Sequence, residues 1–128
     1  MSEPRPAGRA LVVVADDEHD IVELVAIVLR RAGYQVVTAP DGEHALRLIR
    51  DSVPDLCVLD GMMPGLAGFQ VLQRIRADQR TAGIRVLILT ATVDEEREIR
   101  RHGFEPDAFM KKPFEGEALL AQVERLLG

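Results

Sequence analysis

Short apolar runs alternate with stretches of helical periodicity along almost the whole chain, and that alternation limits the possible folds more than any other feature. Leu11-Val12-Val13-Val14 is a continuous, mostly β-branched run, the pattern of a strand covered on both faces. Ile21, Leu24, Val25, Val28 and Leu29 then recur at helical spacing, and Gly33 marks where that helix should end. Tyr34 to Thr38 predicts a second strand, and Ala45, Leu48 and Ile49 predict the buried side of a second helix opened by Asp41-Gly42. Leu56 to Leu59 follows as a third strand. Beyond the loop from Gly61 to Gly68, Phe69, Leu72 and Ile75 mark a third helix, and Val86 to Leu89 a fourth strand. Asp94 to Arg101 is almost entirely charged. With Ile99 as its only interior apolar residue, it predicts a weakly packed fourth helix. Ala108-Phe109-Met110 is a short fifth strand, and Leu119, Leu120, Val123, Leu126 and Leu127 form the last helical stripe.

Five strands alternating with five helices through short connections predict an α/β fold, a parallel sheet with helices on both faces. The 128 residues suffice for one hydrophobic core and are too few for two. Residues 1–9, with two prolines and two arginines, read as a disordered lead-in. Apolar runs of five or six residues fall far short of the roughly 20 that a membrane-spanning helix requires, and the first residues do not resemble a signal peptide. A cytoplasmic location is the expectation. A net charge of -5 argues against direct nucleic-acid binding, since no basic surplus exists to neutralise phosphates. The lone Cys57, inside L-C-V-L, rules out an internal disulfide and reads as a core residue. His19, His44 and His102 lack zinc-type spacing and read as surface side chains.

Ligands of parallel α/β sheets bind at the carboxyl ends of the strands. Asp16-Asp17-Glu18 follow strand one, Asp60 follows strand three, Thr90 and Ala91 follow strand four, and Lys111-Lys112-Pro113 follow strand five. Carboxylates from separate strands would therefore meet beside a hydroxyl and a lysine. Such carboxylates repel unless a cation is bound, and an oxygen-only set completed by water suits Mg²⁺ better than zinc. Asp16 or Asp17 alone would be as well explained as a helix cap, and Thr90 or Lys112 alone as an ordinary core-edge or surface residue. Their joint placement is what carries information.

These residues resemble the receiver domains of two-component response regulators. The likeness spans residues 10 to 127, through V-V-V-A-D-D-E, V-L-D-G-M-M-P-G-L-A-G, I-L-T-A and F-M-K-K-P-F, in that order and spacing. The resemblance implies a CheY-like, flavodoxin-like (βα)5 fold in three α/β/α layers, with residues 10–128 as the receiver domain. It implies Asp60 as phosphoacceptor, and Asp16, Asp17, Asp60 and the Met62 main-chain carbonyl as Mg²⁺ ligands, with Mn²⁺ able to substitute. Thr90 and Lys112 would hold phosphoryl oxygens, and Thr90 and Phe109 would form the switch. Lys112 is preferred to Lys111 because it directly precedes Pro113, in a bond that the family usually holds cis.

The partners implied are a sensor histidine kinase or histidine phosphotransfer protein, and a downstream protein or an output domain absent from this chain. The protein would be a monomer or a phosphorylation-dependent dimer. It would catalyse only its own phosphorylation and dephosphorylation, and so is not expected to be an enzyme in the ordinary sense.

Several positions depart from the family pattern. Met62 and Thr92 stand where polar or charged groups often influence dephosphorylation. Ala67 replaces a common acidic residue, and Glu105-Pro106-Asp107-Ala108 replaces the usual approach to the fifth strand. Gln122 and Glu124 differ from the dimerisation pattern of the winged-helix regulators, so that dimer is not inferred. The alternative is a degenerate receiver acting as a constitutive binding module, which predicts damage at Asp16, Asp17, Asp60 or Lys112; none is visible. A small-molecule phosphatase would want a second acid where Met62 stands, and a nucleotide-binding enzyme a Gly-rich loop after the first strand.

Overall fold

The five apolar runs are strands β1 (Leu11–Ala15), β2 (Gln35–Ala39), β3 (Leu56–Asp60), β4 (Arg85–Thr90) and β5 (Ala108–Lys111) of a computed structural model that describes residues 10–103 and 105–128. Between and after them lie helices α1 (His19–Arg31), α2 (Gly42–Ser52), α3 (Gly68–Ala77), α4 (Val93–Arg101) and α5 (Gly116–Leu127). The strands form one parallel sheet in the order β2-β1-β3-β4-β5. The proposed lead-in, residues 1–9, lies outside the described residues.

Alternate residues of the central strands face opposite layers. Val13, Cys57, Leu59, Val86 and Ile88 pack with Ile49 of α2, Leu72 and Ile75 of α3 and Ile99 of α4. Val12, Val14, Val58, Leu87 and Leu89 pack with Val25 and Leu29 of α1 and Leu119 and Val123 of α5. Each fully buried Leu, Ile or Val contributes about 1.5–3 kcal/mol against the entropy of ordering the chain. Cys57 is completely enclosed, and burial pushes its thiol up, out of reactive range.

The strands run slightly further than their apolar stretches. β3 ends on Asp60 and β4 on Thr90, both polar and buried, because the hydrogen-bonded ladder continues after the apolar residues stop. β2 begins at Gln35, one residue later than its sequence suggested, because Tyr34 N–H closes α1 by donating to the Leu29 carbonyl after Gly33 takes a φ of +98°. On α4, Ile99 is the buried residue, as its composition indicated. All three histidines are exposed, although His102 also stacks on Phe69 with ring centroids 4.2 Å apart.

Candidate functional site

The register of the sheet assembles the site. Ala15 lies level with Leu59, so Asp16, one residue on, lies beside Asp60. Asp60 is level with Leu89, which places Thr90 just beyond it, and Thr90 is level with Lys111, which delivers Lys112 to the same rim. Lys112 N–H donates to the Thr90 carbonyl at 2.7 Å, and the Lys112–Pro113 bond is cis. Four residues distant in sequence thus meet at the carboxyl edge of the sheet.

Asp16, Asp60 and Thr90 are buried, with 1%, 5% and 1% of their surface exposed, whereas Asp17 is open to solvent. The Lys112 ammonium lies 2.8 Å from Asp16 Oδ2, 3.2 Å from Glu18 Oε1 and 3.6 Å from Asp60 Oδ1. The shortest of these contacts is the ion pair with the buried Asp16 carboxylate. Burial works against the lysine charge, but Asp16, backed by Asp60 and Glu18, outweighs it and holds the group above its ordinary value.

Asp60 responds in the opposite sense. Burial, then the Asp16 charge and the neighbouring Asp17 carboxyl, push it up to about 7, against the pull of Lys112 and the Met62 amide. Met62 N–H approaches Asp60 Oδ1 at 3.4 Å, while the Met62 side chain is 50% exposed.

Oxygens of Asp16, Asp17 and Asp60 lie within 4.8 Å of one another. One lysine cannot neutralise three carboxylates, and the Asp16 charge adds to burial in raising Asp60. An all-oxygen set with one solvent-facing member fits a hard divalent cation that keeps several waters. These residues therefore could hold a metal.

Two participants went unassigned in the sequence. Glu18 pairs with Lys112; its only signal was its place in the acidic run after β1. Glu95, on the first turn of α4, accepts from Ala91 N–H through Oε2 at 3.2 Å, and its buried Oε1 has no hydrogen-bond partner among the described residues. Thr92 caps α4 by accepting from Glu95 N–H at 3.1 Å. Phe109 is half-buried, level with Ile88, and its ring carries the Arg100 guanidinium 4.7 Å from its centroid. Two glycines fix the loop after β3: a side chain at Gly68 would overlap the Asp60 carbonyl, and one at Gly42 would overlap the Leu66 carbonyl.

A five-stranded parallel sheet with an acidic cluster and a lysine on its carboxyl rim describes the response regulator receiver domain, whose family profile matches residues 12–124. The chain belongs to that family, the receiver domains of two-component response regulators. It is 42% identical over 116 residues to the DNA-binding dual master transcriptional regulator RpaA of Synechocystis, covering 91% of this chain and 48% of that one. It is 34% identical over 120 residues to the phosphate regulon transcriptional regulatory protein PhoB of Pseudomonas aeruginosa, covering 94% and 52%. The chain thus spans about half the length of the curated relatives it matches. Among solved structures, the chemotaxis response regulator CheY4 of Vibrio cholerae superposes with a TM-score of 0.86 at 30% identity, covering 93% of this chain and 99% of that one. Among the described residues, no helix is long and apolar enough to cross a membrane.

Proposed function

We propose that Asp60 accepts a phosphoryl group from a phosphohistidine of a sensor histidine kinase or histidine phosphotransfer protein. The observation that carries this is the burial of Asp60 within 3.6 Å of Lys112 and beside Asp16 and Asp17. An Asp60 oxygen attacks phosphorus, the new O–P bond forms as the N–P bond breaks, and the imidazole leaves with the electron pair. Little covalent work falls to the protein, so positioning and charge neutralisation dominate.

Lys112 stabilises the transferring oxygens from one side and the Thr90 hydroxyl donates from another. Asp16, Asp17, Asp60 and the Met62 carbonyl would hold Mg²⁺, or Mn²⁺ in its place. When bound, the ion neutralises charge on the phosphoryl oxygens. Reversal is hydrolysis of the acyl phosphate, so the domain processes only its own Asp60 and turns over no separate metabolite. Met62 has no polar side chain with which to orient the attacking water, which favours a long-lived phosphoryl group.

Phosphorylation adds charge and acceptor oxygens that draw on Thr90, and Phe109 answers by changing its packing. The face formed by α4, β5 and α5 then controls a partner or output domain, in the cytoplasm. RpaA and PhoB, both named as transcriptional regulators, carry roughly as much sequence again beyond the matched region. Nucleic-acid binding would belong to such an additional segment.

Intact-protein mass after incubation with acetyl phosphate and Mg²⁺ tests the proposal. One added phosphoryl group, absent with EDTA and in Asp60→Asn, is expected. Failure to label under conditions that label another receiver would favour a constitutive binding module.

A further inference from the structure

We propose that Glu95 is a positioning residue that competes with the incoming phosphoryl group for the Ala91 amide and must leave the rim when Asp60 is phosphorylated. The proposal rests on Asp60 being the acceptor. Ala91 directly follows Thr90, so its N–H is a main-chain donor at the carboxyl end of β4. In the present state that donor is taken by Glu95 Oε2 at 3.2 Å.

The placement of Glu95 is costly. Its buried Oε1 has no hydrogen-bond partner among the described residues, and a carboxylate oxygen removed from water without compensation favours any route back to solvent. The space it occupies exists because Gly61, directly after the acceptor, lacks a side chain: a Cβ there would sit 3.0 Å from Glu95 Oε1 and 2.7 Å from Ile99 Cδ1. A carboxylate is therefore lodged beside the residue following Asp60, where conversion of the Asp60 carboxylate to an acyl phosphate raises the local charge from about −1 to about −2 and extends it toward Glu95.

Like charge and a contested donor act in the same direction. An oxygen of the phosphoryl group takes the Ala91 N–H, and Glu95 turns outward, where water satisfies both of its oxygens. Glu95 belongs to the first turn of α4, a helix held by Ile99, so its departure frees that turn. Glu95 thus slows phosphorylation in the resting state and ties its completion to movement of α4.

The test compares acetyl phosphate labelling rates of wild type, Glu95→Gln and Glu95→Ala, with thermal melts to confirm folding. Glu95→Gln retains the shape and the acceptor while removing the charge. It is expected to label about five-fold faster at low salt, with the advantage shrinking as salt rises; a packing role would give no such salt dependence. In wild type, the Ala91 amide resonance should shift on phosphorylation. Equal rates at low salt, or an unmoved Ala91 amide in protein shown to be labelled at Asp60, would overturn the competition. Absence of label in wild type would instead overturn the acceptor assignment, and this inference with it.

Discussion

Lys112 Nζ sits 2.8 Å from Asp16 Oδ2, joining the residue after β1 to the residue after β5 across the two intervening strands, β3 and β4. The Asp16 side chain is wholly enclosed and that of Lys112 nearly so, at 0% and 13% exposure. Removing one partner leaves a buried charge exposed to its acidic neighbours. Lys112→Ala is therefore expected to lower stability in EDTA by about 3 kcal/mol at neutral pH, the low end for breaking a buried pair, with Mg²⁺ recovering part of the loss. Urea unfolding with and without Mg²⁺ measures both, and unchanged stability in the variant would show that the pair contributes nothing.

Metal-free stability should depend on pH through Asp60. Its carboxyl is raised to about 7 in the folded protein, above the roughly 4 of an unfolded chain. The folded state thus binds the proton more tightly, so this contribution is fully present below about pH 4 and is lost as pH rises through 7. Urea midpoints in EDTA should fall across that interval for wild type and stay flatter for Asp60→Asn. Parallel curves for the two proteins would contradict the assignment.

Magnesium should stabilise the wild type and do so through Asp17. At ten times the dissociation constant the gain is about 1.4 kcal/mol, read as a rise in melting temperature. Asp17 is solvent-exposed, so Asp17→Ala should fold normally in EDTA yet lose most of the Mg²⁺ response. A full response in that variant would remove Asp17 from the ligand set.

Helix α4 should open before the rest of the domain. Ile99 is its buried residue, whereas β3 is buried throughout. Amide exchange in α4 should outpace that of β3, and Ile99→Ala should accelerate α4 further while costing about 2 kcal/mol globally, the low end for a buried isoleucine. Equal protection of α4 and β3 would rule out an independently mobile helix.

Much of this was legible from residue order because two periods, that of strands and that of helices, alternate so cleanly. The rim residues Asp16, Asp60, Thr90 and Lys112 could be found as soon as the strands were found, since each is the first polar group after an apolar run or lies close to it. Strand ends were less legible: Asp60 and Thr90 are polar yet still in the ladder, and hydropathy cannot register a backbone hydrogen bond. Glu95 was illegible for a related reason. On a helix as charged as α4 nothing in the sequence distinguishes an inward glutamate from its solvated neighbours. Asp107 is similar, its Oδ2 accepting from Val86 N–H at 2.7 Å and from Arg76 at 2.9 Å, a pairing between segments that no local pattern reveals. Val53, left-handed at φ 44° where α2 ends, had no glycine or asparagine to announce it.

Gly42 and Gly68 bring no functional group to the rim, yet each is packed against a carbonyl with no room for a methyl. In a saturation scan scored by phosphorylation they should rank with Asp60 among the least tolerant positions. Loss of labelling at either glycine would then report an acceptor moved out of place by its own loop, with every reactive group still intact.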